Sequence, residues 1–164
     1  MEQVFVYGSL KQGNSTRGMQ HFPNSQFVGV ARTKRALYKM VDLGSFPGVM
    51  IIEDDGSKYV EQGYQIEGEV YSVSDEDLEQ LDAIEGVPNF YDRARVSTTR
   101  GDVFMYLLPN GGEYDTAPTH QDRREVVFAD QTGRTEEIGI PASPFIGLTK
   151  VSGDRSGGIL TWLK

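Results

Sequence analysis

Two stretches far apart in the chain carry residue types that can do chemistry together. One is Glu85, the last residue of the helical pattern Asp75 to Glu85. At about 100° per residue, Glu85 falls on the stripe between Leu78 and Leu81, and Ile84 belongs to the same apolar face. A carboxylate there is expected to be partly buried and to sit at the negative end of the helix dipole. Both effects disfavour the charged form and raise the pKa from its ordinary value of about 4.3. A Glu raised toward neutrality can accept and return a proton. The same position also permits a plainer outcome, in which Glu85 points to solvent where the helix leaves the core.

The other stretch is the turn Gly8-Ser9-Leu10, which follows the apolar run Val4-Phe5-Val6-Tyr7. Such a run reads as a strand buried on both faces. Ending it in a glycine turn delivers backbone N–H groups to one end of the core, where they can hold an anion or a carboxylate. An ordinary strand-to-loop turn is equally compatible with these residues. Tyr7, Tyr71, Tyr91 and Tyr106 are candidates to line a pocket, although tyrosines on strands commonly serve as core or rim.

Other chemistries are excluded. Gly8 to Gly13 has G-x-x-x-x-G spacing, but Asn14-Ser15 follows where a P-loop needs Lys and then Ser or Thr. Without that lysine the loop is not a nucleotide-phosphate cradle. The chain has no Cys, which removes disulfides, thiol nucleophiles and Cys-ligated zinc. His21 and His120 are far apart, with no H-E-x-x-H spacing, so a metal site built from His is not expected.

The elements that must position these residues read mostly as strands. Beyond Val4–Tyr7, strands are predicted at residues 27–31, 36–40, 49–52, 66–73, 93–99 and 103–108. Breaker-rich loops cover 8–22 and 42–48, and exposed turns cover 53–58 and 100–102. The one clear helix has Ser74 as N-cap, with Asp77 three residues on in a capping-box-like pair. Asp75, Glu76 and Asp77 lie at the positive end of its dipole. Gly86 stops it and Pro88 prevents its continuation. Residues 1–110 form one domain in this reading, and residues 111–164 form an extension that packs extra strands or loops on it. Its apolar runs are 125–128 and 159–163.

The totals agree with a small globular protein. The chain has 164 residues, enough for one domain with a sizeable core, and its 19 Gly favour a turn-rich fold with strands. A net charge of -8 argues against nucleic acid or an anionic membrane as partner. No apolar run approaches the ~20 residues of a membrane span, and the N-terminal run is too short for a signal sequence. A cytoplasmic protein is expected. Its oligomeric state is not readable.

Several segments together resemble one family. Val4-Phe5-Val6-Tyr7-Gly8-Ser9-Leu10-Lys11 is similar to a V-F-V-Y-G-S/T-L-K/R opening motif. Gly68-Glu69-Val70-Tyr71 is similar to a G-E-V-Y strand. Leu81-Asp82-x-x-Glu85, followed by Tyr91-x-Arg93, is similar to an L-D-x-x-E segment and its Y-x-R. These are motifs of the gamma-glutamylcyclotransferase-like family, and the resemblance covers about residues 3–109. It implies an α+β fold, a small mixed β-barrel with crossing helices. It implies that Tyr7, Gly8, Ser9 and Leu10 bind a glutamyl group, with Tyr91 beside them, and that Glu85 is the acid/base residue. The implied reaction cyclises a gamma-glutamyl amide to 5-oxoproline and a free amine, with no metal or cofactor. The alternatives are a binding module that holds a small acidic metabolite in the same pocket, and a hydrolase or transferase in which Glu85 activates water or a second amine.

Overall fold

The computed structural model describes residues 1–11, 18–44, 46–52, 63–109, 127–129, 135–137, 146–149 and 156–163, with the backbone alone at 127–129 and 135–137. The expected features at 12–17, in the 53–58 turn, at His120 and at 125–126 lie outside these residues.

Strand β1, Glu2–Val6, runs through the middle of the molecule. Its side chains alternate between two cores, as the pleat of a strand requires. Phe5 and the following Tyr7 enter one core with Ile66, Val70, Val103 and Met105. Val4 and Val6 enter the other with Tyr71, Val73, Leu78 and Leu81. The strand starts two residues earlier than expected, at Glu2 and Gln3, which are not buried. From Val4 on it is covered on both faces, which leaves no room for a polar residue and accounts for the apolar run.

β2, Gln26–Arg32, and the long β5, Gln65–Val73, are antiparallel to each other, and β5 is antiparallel to β1. Next in the chain comes the helix α1, Asp75–Glu85. β6, Asp92–Thr98, and β7, Gly101–Leu107, form a hairpin, and β7 lies parallel to β1. A separate two-stranded sheet pairs β3, Tyr38–Asp42, with β4, Pro47–Ile51. It is tied to the large sheet by the Tyr38↔Tyr64 bridge and by the Leu108 N–H donating to the Val49 carbonyl at 2.8 Å.

Near the C-terminus, β8 is Val127–Ala129, β9 is Thr135–Glu137, β10 is Ile146–Thr149 and β11 is Ile159–Trp162. β11 pairs in parallel with β5 at Gln65 and Ile66. It takes over the edge that β1 vacates after Val6↔Glu69. Ile146, Leu160 and Trp162 are buried in the same core as Phe5 and Ile66.

The expectation of a barrel with crossing helices is corrected here. The fold is α+β, but the sheet is an open half-barrel, and the described residues hold one α-helix. The large sheet runs β6-β7-β1-β5-β11-β10-β8-β9, with β2 on the other edge of β5. Its curl brings the end of β2 back to the end of β6 at a single bridge, Thr33↔Thr98. Two hydrogen bonds flank that bridge, Lys34 N–H to the Ser97 carbonyl and Thr99 N–H to the Arg32 carbonyl, each 2.9 Å. No ladder continues from it, so the two edges touch at one end only. No helix among the described residues is long and apolar enough to cross a membrane.

Candidate active site

The helix carries its own boundaries. Ser74 Oγ accepts the Asp77 N–H at 3.1 Å, satisfying one of the donors left over at a helix start. Gly86 ends the helix in the left-handed conformation, φ 68° and ψ 35°, which a residue with a side chain adopts poorly. The last-turn carbonyls of Ala83 and Asp82 are taken by Gly86 N–H and Val87 N–H. Leu78 and Leu81 seat the helix on the sheet. Ile84 corrects the expected stripe: it is 46% exposed rather than core, because the sheet beneath the last turn gives way to a cleft. Glu85, beside it, is half-buried.

Asp82, one turn earlier, pins this helix end laterally. It accepts Arg93 Nη1 at 2.6 Å and the Tyr106 hydroxyl at 2.8 Å. These come from β6 and β7, so both strands of that hairpin hold the turn that carries Glu85. Burial pushes the Tyr106 phenol well above its ordinary pKa, helped by its bond to Asp82 and by the Glu85 charge. Arg93 also lies over the Phe104 ring, 4.5 Å from its centroid, which holds the guanidinium in place.

The turn after β1 is held with comparable rigidity. The Lys11 N–H donates to the Gly8 carbonyl at 2.9 Å, and the Met19 N–H to the Leu10 carbonyl at 2.9 Å. Gly8 packs on Pro47 so closely that a Cβ would lie 2.5 Å from Pro47 Cγ. The buried Tyr7 hydroxyl donates to the Tyr106 carbonyl at 2.7 Å. Its pKa is raised by burial first, then by the nearby Tyr91 and Glu85, against a lowering contribution from the Val49 backbone. Tyr7 is therefore the electrostatic neighbour that links the turn to the helix end. Lys11 Nζ reaches across to the Trp162 carbonyl at 2.6 Å, joining the turn to β11. The ladder of β1 stops at Val6, so Gly8, Ser9 and Leu10 lie beyond the last paired residue.

Between the turn and the helix end is a cleft of about 260 Å³. Its wall includes Tyr7, Gly8, Ser9, Leu10, Glu85 and Tyr91. The residues singled out from the sequence thus meet in one place, although Tyr7 and Glu85 are far apart in the chain. Tyr91 spends its hydroxyl on the Pro47 carbonyl, 2.7 Å away, and so serves as wall. Tyr71 does not join them: it packs against Phe27, with ring centroids 5.4 Å apart, and bonds Glu69. Sequence reasoning missed Phe46, Pro47, Ile84 and Phe90, which complete the cleft with Tyr106. The sequence places Phe46 and Pro47 in a breaker-rich loop, yet Pro47 begins β4 opposite Asp42. No local periodicity marks such residues. Among the described residues no cluster of His, Cys, Asp and Glu could hold a metal ion. A half-buried carboxylate facing a backbone turn in a largely apolar cleft is equipped to bind a small polar molecule and to move a proton.

A profile of the family described as gamma-glutamyl cyclotransferase, AIG2-like, matches residues 4–127. The chain belongs to this family. It is 35% identical over 118 residues to gamma-glutamylaminecyclotransferase C of Danio rerio, an overlap of 67% of this chain and 66% of the relative. It is 32% identical over 107 residues to the gamma-glutamylcyclotransferase family protein YtfP of Escherichia coli K12, covering 64% and 80% of the two chains. Among solved structures, an AIG2-like protein from Mus musculus superposes with a TM-score of 0.54 at 23% identity, over 68% of this chain and 80% of that one. At that identity the likeness concerns the fold. The gamma-glutamyl cyclotransferase family is one of enzymes, and its match ends before β10 and β11 begin.

Proposed function

We propose that this protein is a cyclotransferase that converts a gamma-glutamyl amide or gamma-glutamylamine to 5-oxoproline and a free amine. One observation carries the reading: Glu85 and the Gly8–Leu10 turn line the same cleft. Relatives named as gamma-glutamylaminecyclotransferases support the substrate class.

In this mechanism the glutamyl part of the substrate lies against the turn, with Tyr7 and Tyr91 as walls. Glu85 takes a proton from the substrate's alpha-ammonium group. The freed amine attacks the gamma-carbonyl carbon of the same molecule, forming the lactam C–N bond. The oxyanion of the tetrahedral intermediate faces N–H groups of Gly8 to Leu10, which stabilise it. Glu85 passes protons from the attacking nitrogen to the departing one, and the original amide C–N bond breaks. The ring nitrogen keeps one proton, and the amine leaves as an ammonium. Nucleophile and electrophile belong to one molecule, so the entropic barrier falls once the substrate is held in its folded conformer. The protein then needs only to fix that conformer, stabilise one oxyanion and move protons.

The test is 5-oxoproline release from a panel of gamma-glutamyl amides by wild type and Glu85→Gln. Turnover by wild type and a loss of about 10²-fold or more in Glu85→Gln is the expected result. Equal rates would remove Glu85 from the mechanism. Wild-type binding without turnover of any amide would make the cleft a binding site only, and release of glutamate in place of 5-oxoproline would make the enzyme a hydrolase.

A further inference from the structure

We propose that the mouth of the cleft is a subsite for the leaving amine, and that it takes an amine bearing an aromatic or branched apolar group. This rests on the cyclotransferase reading for the orientation of the substrate. The mouth is formed by Phe46, Ile84 and Phe90. Ile84 is 46% exposed and Phe90 is 44% exposed. Single exposed apolar residues are ordinary on a protein surface. These converge from three separate segments on the edge of one cleft: the strap before β4, the last turn of α1 and the loop after it. Apolar surface concentrated around a few polar groups is how small-molecule sites are built.

The mouth is also pre-organised. Phe46 and Phe90 meet edge to face with centroids 6.1 Å apart, and Phe90 meets Tyr91 in the same manner at 4.9 Å. Tyr91 is in turn fixed by its bond to the Pro47 carbonyl. The rings therefore brace one another and need little ordering when a ligand arrives. Ile84 immediately precedes Glu85, so the apolar patch begins beside the group that protonates the departing nitrogen. With the glutamyl part against the turn, the substituent on that nitrogen has the mouth as its exit. A leaving amino acid would bring its own carboxylate onto the apolar surface of Phe46, Ile84 and Phe90, and taking a charge out of water without a partner is unfavourable. An uncharged apolar substituent meets no such penalty and buries surface against the rings.

Affinity separates this subsite from the chemistry. Binding of gamma-glutamylbenzylamide, gamma-glutamylethylamide and gamma-glutamylglycine would be measured by calorimetry on Glu85→Gln, which is not expected to turn them over. The benzylamide should bind about tenfold or more tighter than the ethylamide, as expected for a buried ring, and gamma-glutamylglycine should bind most weakly. Adding Phe90→Ser should shrink the benzyl preference to less than about threefold, and Phe90→Leu should keep most of it. Equal affinity for the benzylamide and ethylamide, tightest binding of gamma-glutamylglycine, or binding of none of the three would overturn the proposal. A benzylamide that binds tightly to wild type but yields no 5-oxoproline would keep the subsite and sink the cyclotransferase reading.

Discussion

At the scale of single residues, the site depends on side chains that are absent as much as on those present. Gly8 is the clearest case. Its backbone approaches Pro47 so closely that even a methyl group must displace the proline ring or the turn. Either movement changes the cleft wall that the two residues share. Gly8→Ala should cost about 1–3 kcal/mol of stability, the usual range for overpacking. It should also lower kcat/KM for 5-oxoproline release by more than that loss of folded protein accounts for. Urea denaturation and steady-state kinetics on the same preparation separate the two effects. An alanine variant with wild-type stability would mean that the turn has slack. Asp82 illustrates the opposite case, a single carboxylate that gathers Arg93 and Tyr106 beneath the turn carrying Glu85.

At the scale of elements, α1 is short and has one buried face, so its termini matter. Eleven residues form few internal hydrogen bonds, and an isolated helix of that length is marginal in water. Tertiary packing of Leu78 and Leu81 holds it, and the Ser74 cap closes its start. Ser74→Ala should destabilise the protein by about 1 kcal/mol, seen as a lower urea midpoint with an unchanged slope. If the midpoint does not move, water or another donor replaces the cap at no cost. The helix was readable because caps are local: Ser74, Asp77 and Gly86 act on neighbours within one turn. The strands up to β7 were readable as elements too, but their ends were not, and β9 and β10 carry no apolar run that the sequence marks. β3 was expected at 36–40 and lies at Tyr38–Asp42, and the segment read as a loop contributes Pro47 and Gly48 to β4. Those ends are set by cross-strand partners, and a partner's register is not written in the strand itself.

At the scale of the whole molecule, buried tyrosines couple the fold to alkaline pH. The phenols of Tyr7 and Tyr106 have pKa values raised above 10.0, chiefly by burial. The unfolded chain would ionise them near pH 10 while the folded chain keeps them protonated. Above about pH 10 the folded state therefore binds more protons, and stability must fall as pH rises. Below that pH both states are neutral and the contribution is constant. Urea midpoints between pH 8 and pH 11 should decline above pH 10 in wild type and decline less steeply in Tyr7→Phe. Parallel profiles would show that Tyr7 is already solvated in the folded state. What the sequence by itself determined is whatever local chemistry decides: an apolar run without polar residues must be covered on both faces, a capped and glycine-stopped pattern must be a helix, and Glu85 must close it. The motif residues could be named from the chain because their order and spacing resemble those of a known family. What only the tertiary structure decided are the relations between distant segments. The sheet stays an open half-barrel because β2 and β6 meet only at the Thr33↔Thr98 bridge, and β11 continues along β5 where β1 ends. Ile84 leaves the core, and Phe46 and Phe90 join it at the mouth of the cleft beside Glu85. Burial is a property of what packs against a residue, and for these side chains the packing partners come from elsewhere in the chain.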